Sequence, residues 1–242
     1  MPTVHDRRRA LISELEALGD AGRVLAKELA DLYRAREMAG LNRDMYDAAA
    51  GVGKPDAGWT RGSENLALLR ERFPDPELGE KEWLELLRPR ESGFRAEIYL
   101  PDPDILGPGF KPVLVFKGSG GEIIQTDGTR RDTTAEDFLG NNFPQSIGLP
   151  TDYYDRAMRL SVRLLRTGTD FELSGHSLAG GQSSAGAAVT GKRAITFNAA
   201  GLHPETAARF ARDNGLPIYD TGANVTAWHV KGDVLNDGIQ GD

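Results

Sequence analysis

Apolar positions near the start of the chain recur every three or four places. Leu11, Leu15, Leu18, Val24, Leu25, Leu29, Leu32 and Tyr33 mark one face over residues 7–36, and charged residues fill the other. That period predicts amphipathic helix, and Gly19 and Gly22 predict its division into a hairpin of two helices packed on a core. Residues 50–62 are rich in Gly and Pro and read as a connection. Residues 63–89 return to helical spacing, interrupted at Pro74 and Pro76. The period then shortens. Residues 93–100 (GFRAEIYL) alternate apolar and polar, as a strand does, and residues 112–117 (PVLVFK) form a short apolar run of the buried-strand type. Residues 118–150 show no periodicity and read as a lid or substrate gate. Thr151-Asp152 is a helix start, with Tyr153, Ala157, Leu160 and Leu164 on one face of a helix reaching about residue 166. From there strand and helix alternate: strands at 171–174, 193–198 and 225–231, helices at 178–189 and 204–214. The prediction is an α/β fold, a mostly parallel sheet with flanking helices and a helical N-terminal extension.

Composition narrows the function. The chain has 242 residues, 36 acidic and 29 basic, for a net charge of −7. That balance argues against a nucleic-acid partner, which needs a basic stripe to displace counterions. No apolar run approaches the roughly 20 residues of a membrane span, so membrane contact is expected to be peripheral only. The charged first 20 residues contain no signal-peptide core. With no cysteine, thiolate catalysis, disulfide scaffolds and Cys-ligated zinc are excluded. The acidic strings Pro101-Asp102-Pro103-Asp104 and Asp233, Asp237, Asp242 lack a calcium-loop pattern and read as solvated loops. No P-loop or dinucleotide fingerprint occurs, and no metal or cofactor is called for.

The chemistry concentrates in Gly175-His176-Ser177-Leu178-Ala179-Gly180-Gly181, between a predicted strand and a predicted helix. That context is the one a nucleophile elbow requires. The turn is cramped, so the residues two before and two after the serine must be small. Gly175 and Ala179 meet that demand, with alanine standing where the strict pattern has glycine. Ser177 is the candidate nucleophile, and His176 occupies the variable position that packs beside it. An oxyanion hole is expected from the Leu178 N–H and from Ser119, in the turn after the PVLVF strand, by its N–H and its hydroxyl. The orienting acid should end a later strand, where Asp233 stands; Asp220 and Glu205 fit less well. The base is the difficulty. Of four histidines, His5 is N-terminal, and His229 lies between Trp228 and Val230 and reads as a buried structural residue. His203, after the RAITFNAAG strand and loop, can reach the upper rim of the sheet and is the candidate base. In the usual order the base follows the acid, and no histidine follows Asp233.

The strings VFKGS, AEDFLGNNFPQ, SGHSLAGG, ITFNAAGLHPETAARF and VTAWHVKGD, together with YDAAAGVGKPDAGWTR before the sheet, resemble the lipase class 3-like phospholipases. Among these the chain is similar to lipase domains of bacterial secreted antibacterial effectors and polymorphic toxins, over roughly residues 45–242. The resemblance implies an α/β-hydrolase, with residues 1–90 a helical region packed on a hydrolase core at 91–242. It implies a serine lipase or phospholipase cleaving acyl esters of membrane lipids, with Ser177 as nucleophile, Asp233 as acid, and Ser119 with Leu178 as oxyanion hole. Such families carry the catalytic histidine after the strand that ends in the acid, so that segment is expected beyond residue 242. The implied partners are a lipid or acyl-ester substrate and an immunity or chaperone protein. The implied location is the producer's cytoplasm, followed by export through a specialised secretion system. Two other readings stay open: an inactive or truncated hydrolase-like binding module, and an esterase or thioesterase for small substrates.

Overall fold

The computed structural model describes residues 2–125 and 127–229. Its strands are β1 (Trp59–Arg61), β2 (Ala96–Pro101), β3 (Val113–Phe116), β4 (Glu122–Ile124), β5 (Arg130–Asp132), β6 (Glu172–His176), β7 (Ala194–Phe197) and β8 (Val225–Trp228). Among the described residues six of them form one sheet in the order β1-β2-β3-β6-β7-β8, and β4 with β5 forms a separate hairpin. β1, β2 and β3 pair antiparallel, and β3, β6, β7 and β8 run parallel. The helices are α1 (Val4–Glu16), α2 (Asp20–Ala49), α3 (Leu66–Arg72), α4 (Glu80–Leu87), α5 (Pro103–Leu106), α6 (Phe143–Ser146), α7 (Asp152–Arg166), α8 (Leu178–Thr190), α9 (Pro204–Asn214) and α10 (Thr221–Asn224).

Strand periodicity builds the layers. Successive side chains of β3 face opposite sides. Val113 and Val115 pack with Met38, Leu41, Met45 and Ala48 of α2, whereas Leu114 and Phe116 join a core built with α3, α4, α7, α8 and α9. The three- and four-residue steps of that α2 stripe are the helical period meeting the strand period. α8 is small-residue throughout because it is walled in: every residue from Leu178 to Thr190 except Ser184 is buried. Polar locks tie α2 to the sheet. Asp44 accepts from Arg61 at 2.8 and 2.9 Å and from the Tyr99 hydroxyl at 2.8 Å, all buried. Asn42 donates to Ser174 Oγ at 2.6 Å, and that hydroxyl donates to the Ile195 carbonyl at 2.7 Å.

The expected helical hairpin is present, but its break falls at Gly19 alone, in the left-handed region at φ 85°. Gly22 lies inside α2. The N-terminal 90 residues also add β1 to the sheet edge. Asp102 of the acidic loop caps α5, accepting from the Asp104 N–H at 2.9 Å. One expectation fails. His229 is exposed just past β8, which among the described residues is the last strand of the order.

Candidate active site

The parallel strands β3, β6 and β7 all end at one edge of the sheet, where open α/β sheets place their reactive groups. β6 hands its chain to α8 through Ser177. That residue sits at φ 59°, ψ −127°, a backbone conformation that costs a non-glycine residue about 1–3 kcal/mol and persists only when its surroundings over-determine it. They do so here. The Ser177 N–H donates to the Phe197 carbonyl at 3.1 Å, and the Ser177 carbonyl accepts from the N–H groups of Gly180 and Ala200 at 2.9 Å each. The side chain is half-buried rather than sealed in the core.

The neighbours enforce the bend. A Cβ on Gly175 would lie 2.0 Å from the Ala179 carbonyl oxygen and 2.6 Å from Ser183 Oγ, so only glycine fits two places before the serine. Leu178 buries its side chain completely and opens α8, so its N–H belongs to the first helical turn, which has no intrahelical acceptor. His176 is half-buried, with Nδ1 3.2 Å from the Tyr46 hydroxyl. Burial, reinforced by the Asp137 charge, pushes that phenol up to about 12.

The turn after β3 lies against the β6–α8 turn. A Cβ on Gly118 would come within 2.6 Å of the His176 carbonyl oxygen and 2.1 Å of the Tyr46 hydroxyl, so the two loops touch through bare backbone. The next residue, Ser119, accepts at Oγ from Asn142 Nδ2 at 3.0 Å. That bond occupies a hydroxyl lone pair and leaves the O–H proton to point elsewhere. A buried ion pair holds the turn from below. Asp137 Oδ2 accepts from the Gly120 N–H at 2.8 Å, from Thr133 Oγ1 at 2.9 Å and from Lys117 Nζ at 3.3 Å. Lys117 also donates to Thr133 Oγ1 at 2.9 Å and to the Gly118 carbonyl at 3.1 Å. Burial pushes the Lys117 ammonium below its ordinary value, against the pull of Asp137.

The structure brings Ser177, Leu178 and the Ser119 turn to one edge. It places the other expected residues differently. His203 is the N-cap of α9, and its Nδ1 accepts from the Glu205 N–H at 3.2 Å. A neutral imidazole accepting at Nδ1 carries its proton on Nε2, the tautomer opposite to the one a serine base needs. No hydrogen bond joins His203 to Ser177. Asp220 caps α10 through the Gly222 N–H at 2.9 Å, and Glu205 pairs with Arg212 at 3.6 Å on the surface. His5 is buried in α1. Asp233, the expected acid, lies outside the described residues, as do Asp237 and Asp242. Asn142, Asp137, Lys117 and Tyr46 escaped the sequence reading. AEDFLGNNFPQ contains two of them, but nothing in its spacing points to Ser119. Asn198, at the end of β7 with φ 41°, is a further residue held in a strained conformation at this edge. A cleft of about 550 Å³ is lined by Ala199, Ala200, Leu202 and Trp228 among others; Ser177, Leu178 and Ser119 do not line it.

Comparison with known proteins gives one family. Residues 37–241 match the model of a phospholipase-like family, described as a Tle-like phospholipase domain. No curated protein matches the chain. Among the described residues no helix is long and apolar enough to cross a membrane.

Proposed function

The chain belongs to the Tle-like phospholipase family, an α/β-hydrolase family, and from that premise we propose that it hydrolyses acyl esters of membrane phospholipids through a seryl-acyl intermediate. The observation that carries this reading is Ser177, strained at φ 59° between β6 and α8 beside the turn that bears Ser119. Ser177 Oγ attacks the ester carbonyl and yields its proton to a base. The carbonyl oxygen becomes an oxyanion held by the Leu178 N–H and the Ser119 hydroxyl. Collapse expels the lysolipid alcohol, which takes up that proton, and water then cleaves the seryl ester to free fatty acid. Asp233 orients the histidine base in this reading. His203 is carried as that base on one condition: it must release the Glu205 N–H and turn a bare Nε2 toward Ser177. Action as a secreted bacterial effector belongs to the same proposal.

The test is release of fatty acid from phosphatidylcholine vesicles, set against turnover of a soluble short-chain ester. Phospholipid cleavage supports the reading. Cleavage of the soluble ester alone replaces it with a small-substrate esterase, and cleavage of neither leaves a hydrolase-like binding module. Within this reading Ser119→Ala should lower kcat by about 10²-fold, the cost of one oxyanion donor, with little change in KM. An unchanged kcat in steady-state assays removes the Ser119 hydroxyl from the oxyanion hole.

A further inference from the structure

Residues 138–150 (FLGNNFPQSIGLP) contain no charged residue, in a chain that is 27% charged. Phe138, Leu139, Phe143, Ile147 and Leu149 of this segment all face solvent, with Leu139 73% and Phe143 65% exposed. Such a concentration of exposed apolar side chains in one short uncharged segment points to an interaction site. The backbone beneath it is pinned. Residues Glu136–Asn142 form a single wide helical turn, anchored by the buried carboxylate of Asp137 and by Asn141. Asn141 donates to the Glu136 carbonyl at 3.0 Å and accepts from the Tyr153 N–H at 2.9 Å. Past α6, the Gly148 carbonyl accepts from Arg209 at 3.1 Å. The apolar side chains therefore project from a fixed base.

The patch is continuous with the site, since Asn142, between Leu139 and Phe143, is the residue that holds Ser119 Oγ. Whatever covers the patch is brought against the oxyanion turn. With a phospholipid as substrate, that is the surface of the bilayer holding it. The charge pattern specifies the kind of surface: the chain has a net charge of −7, the segment itself carries no cation, and the neighbouring Arg209 guanidinium is taken up by Asp155 at 3.5 Å and the Gly148 carbonyl, so anionic lipid adds little and contact comes from apolar side chains entering the interface.

Resting on the phospholipase reading, we propose that Phe138, Leu139, Phe143, Ile147 and Leu149 form a fixed platform that docks the protein on zwitterionic phospholipid bilayers by apolar insertion and presents the Ser177 edge to the lipid. The platform does not depend on ion pairing with headgroups.

Flotation of the full chain with vesicles tests this, in a Ser177→Ala background so that no lipid is consumed. Binding to phosphatidylcholine vesicles should equal or exceed binding to vesicles containing phosphatidylglycerol, and should survive high salt. Leu139→Asp with Phe143→Asp should lower the bound fraction by about tenfold or more, with an unchanged thermal midpoint. Ile147→Asp with Leu149→Asp should act in the same direction. With Ser177 restored, the first pair should lower fatty-acid release from vesicles about tenfold and leave soluble-ester turnover within about twofold. Undiminished vesicle binding by both pairs overturns the proposal. So does binding that requires phosphatidylglycerol and vanishes in salt, or a dimer in solution that either pair dissociates, which would make the patch an interface between copies. A parent chain that hydrolyses no ester while binding through the patch contradicts the phospholipase reading and leaves the platform standing.

Discussion

Ser177→Ala is expected to lower kcat/KM for ester hydrolysis by at least about 10³-fold while leaving the fold intact. The substitution removes one oxygen and keeps the Cβ. The bend at φ 59° is imposed by backbone bonds to Phe197, Gly180 and Ala200, none of which involves the hydroxyl. Thermal unfolding and substrate binding should therefore match the parent protein, and the loss should appear in kcat. Steady-state kinetics on a soluble ester, with unfolding followed by circular dichroism, checks both halves. Retained turnover at a matched midpoint would assign the nucleophile elsewhere.

Asp137→Ala should be the most damaging single change to stability near the site. Its carboxylate is fully buried and accepts from the Gly120 N–H, Thr133 Oγ1 and Lys117 Nζ. Removing it takes from a buried ammonium its hydrogen-bonded counter-charge and from the Gly120 amide its acceptor. Breaking a buried pair from one side costs about 3–5 kcal/mol, which for a chain of this size lowers the midpoint by roughly 10 °C. Asp137→Asn should cost less, because an amide oxygen can still receive the Gly120 N–H. Both variants should lose kcat beyond what their folded fraction explains, since that N–H fixes the turn carrying Ser119. Calorimetry with activity measured well below the midpoint checks this. A midpoint shift under about 2 °C for Asp137→Ala would mean that the pair contributes little.

What the sequence made legible was local. The tight strand–turn–helix around Ser177 could be read because its demands fall within five residues: Gly175 faces the Ala179 carbonyl, and a strand and a helix adjoin it. α9 (Pro204–Asn214) was bounded correctly because Pro204 and Gly215 mark its two ends. β3 was legible because both faces of Val113–Phe116 are buried. β1 was not. Trp59–Arg61 is only three residues long, sits beside a Gly/Pro stretch, and owes its place to pairing with β2 and to Arg61 reaching Asp44. The segment 136–146 lacked any period because buried contacts of Asp137 and Asn141 with distant elements shape it. His229 departs from its expectation because its apolar neighbours give no sign that, among the described residues, β8 is the last strand of the order. The Asn142–Ser119 bond spans 23 residues, and no spacing rule announces it. Asp233 remains a residue of the proposed mechanism, read from its place after a strand.

The proposed mechanism stands on Ser177 as the reacting hydroxyl. Incubation of the full chain with a fluorophosphonate, followed by intact mass and peptide mapping, tests it most directly. A single adduct is expected on the peptide carrying Ser177, accompanied by loss of ester turnover and absent from Ser177→Ala. An adduct that persists in Ser177→Ala, or that maps to another serine as turnover is lost, would contradict it.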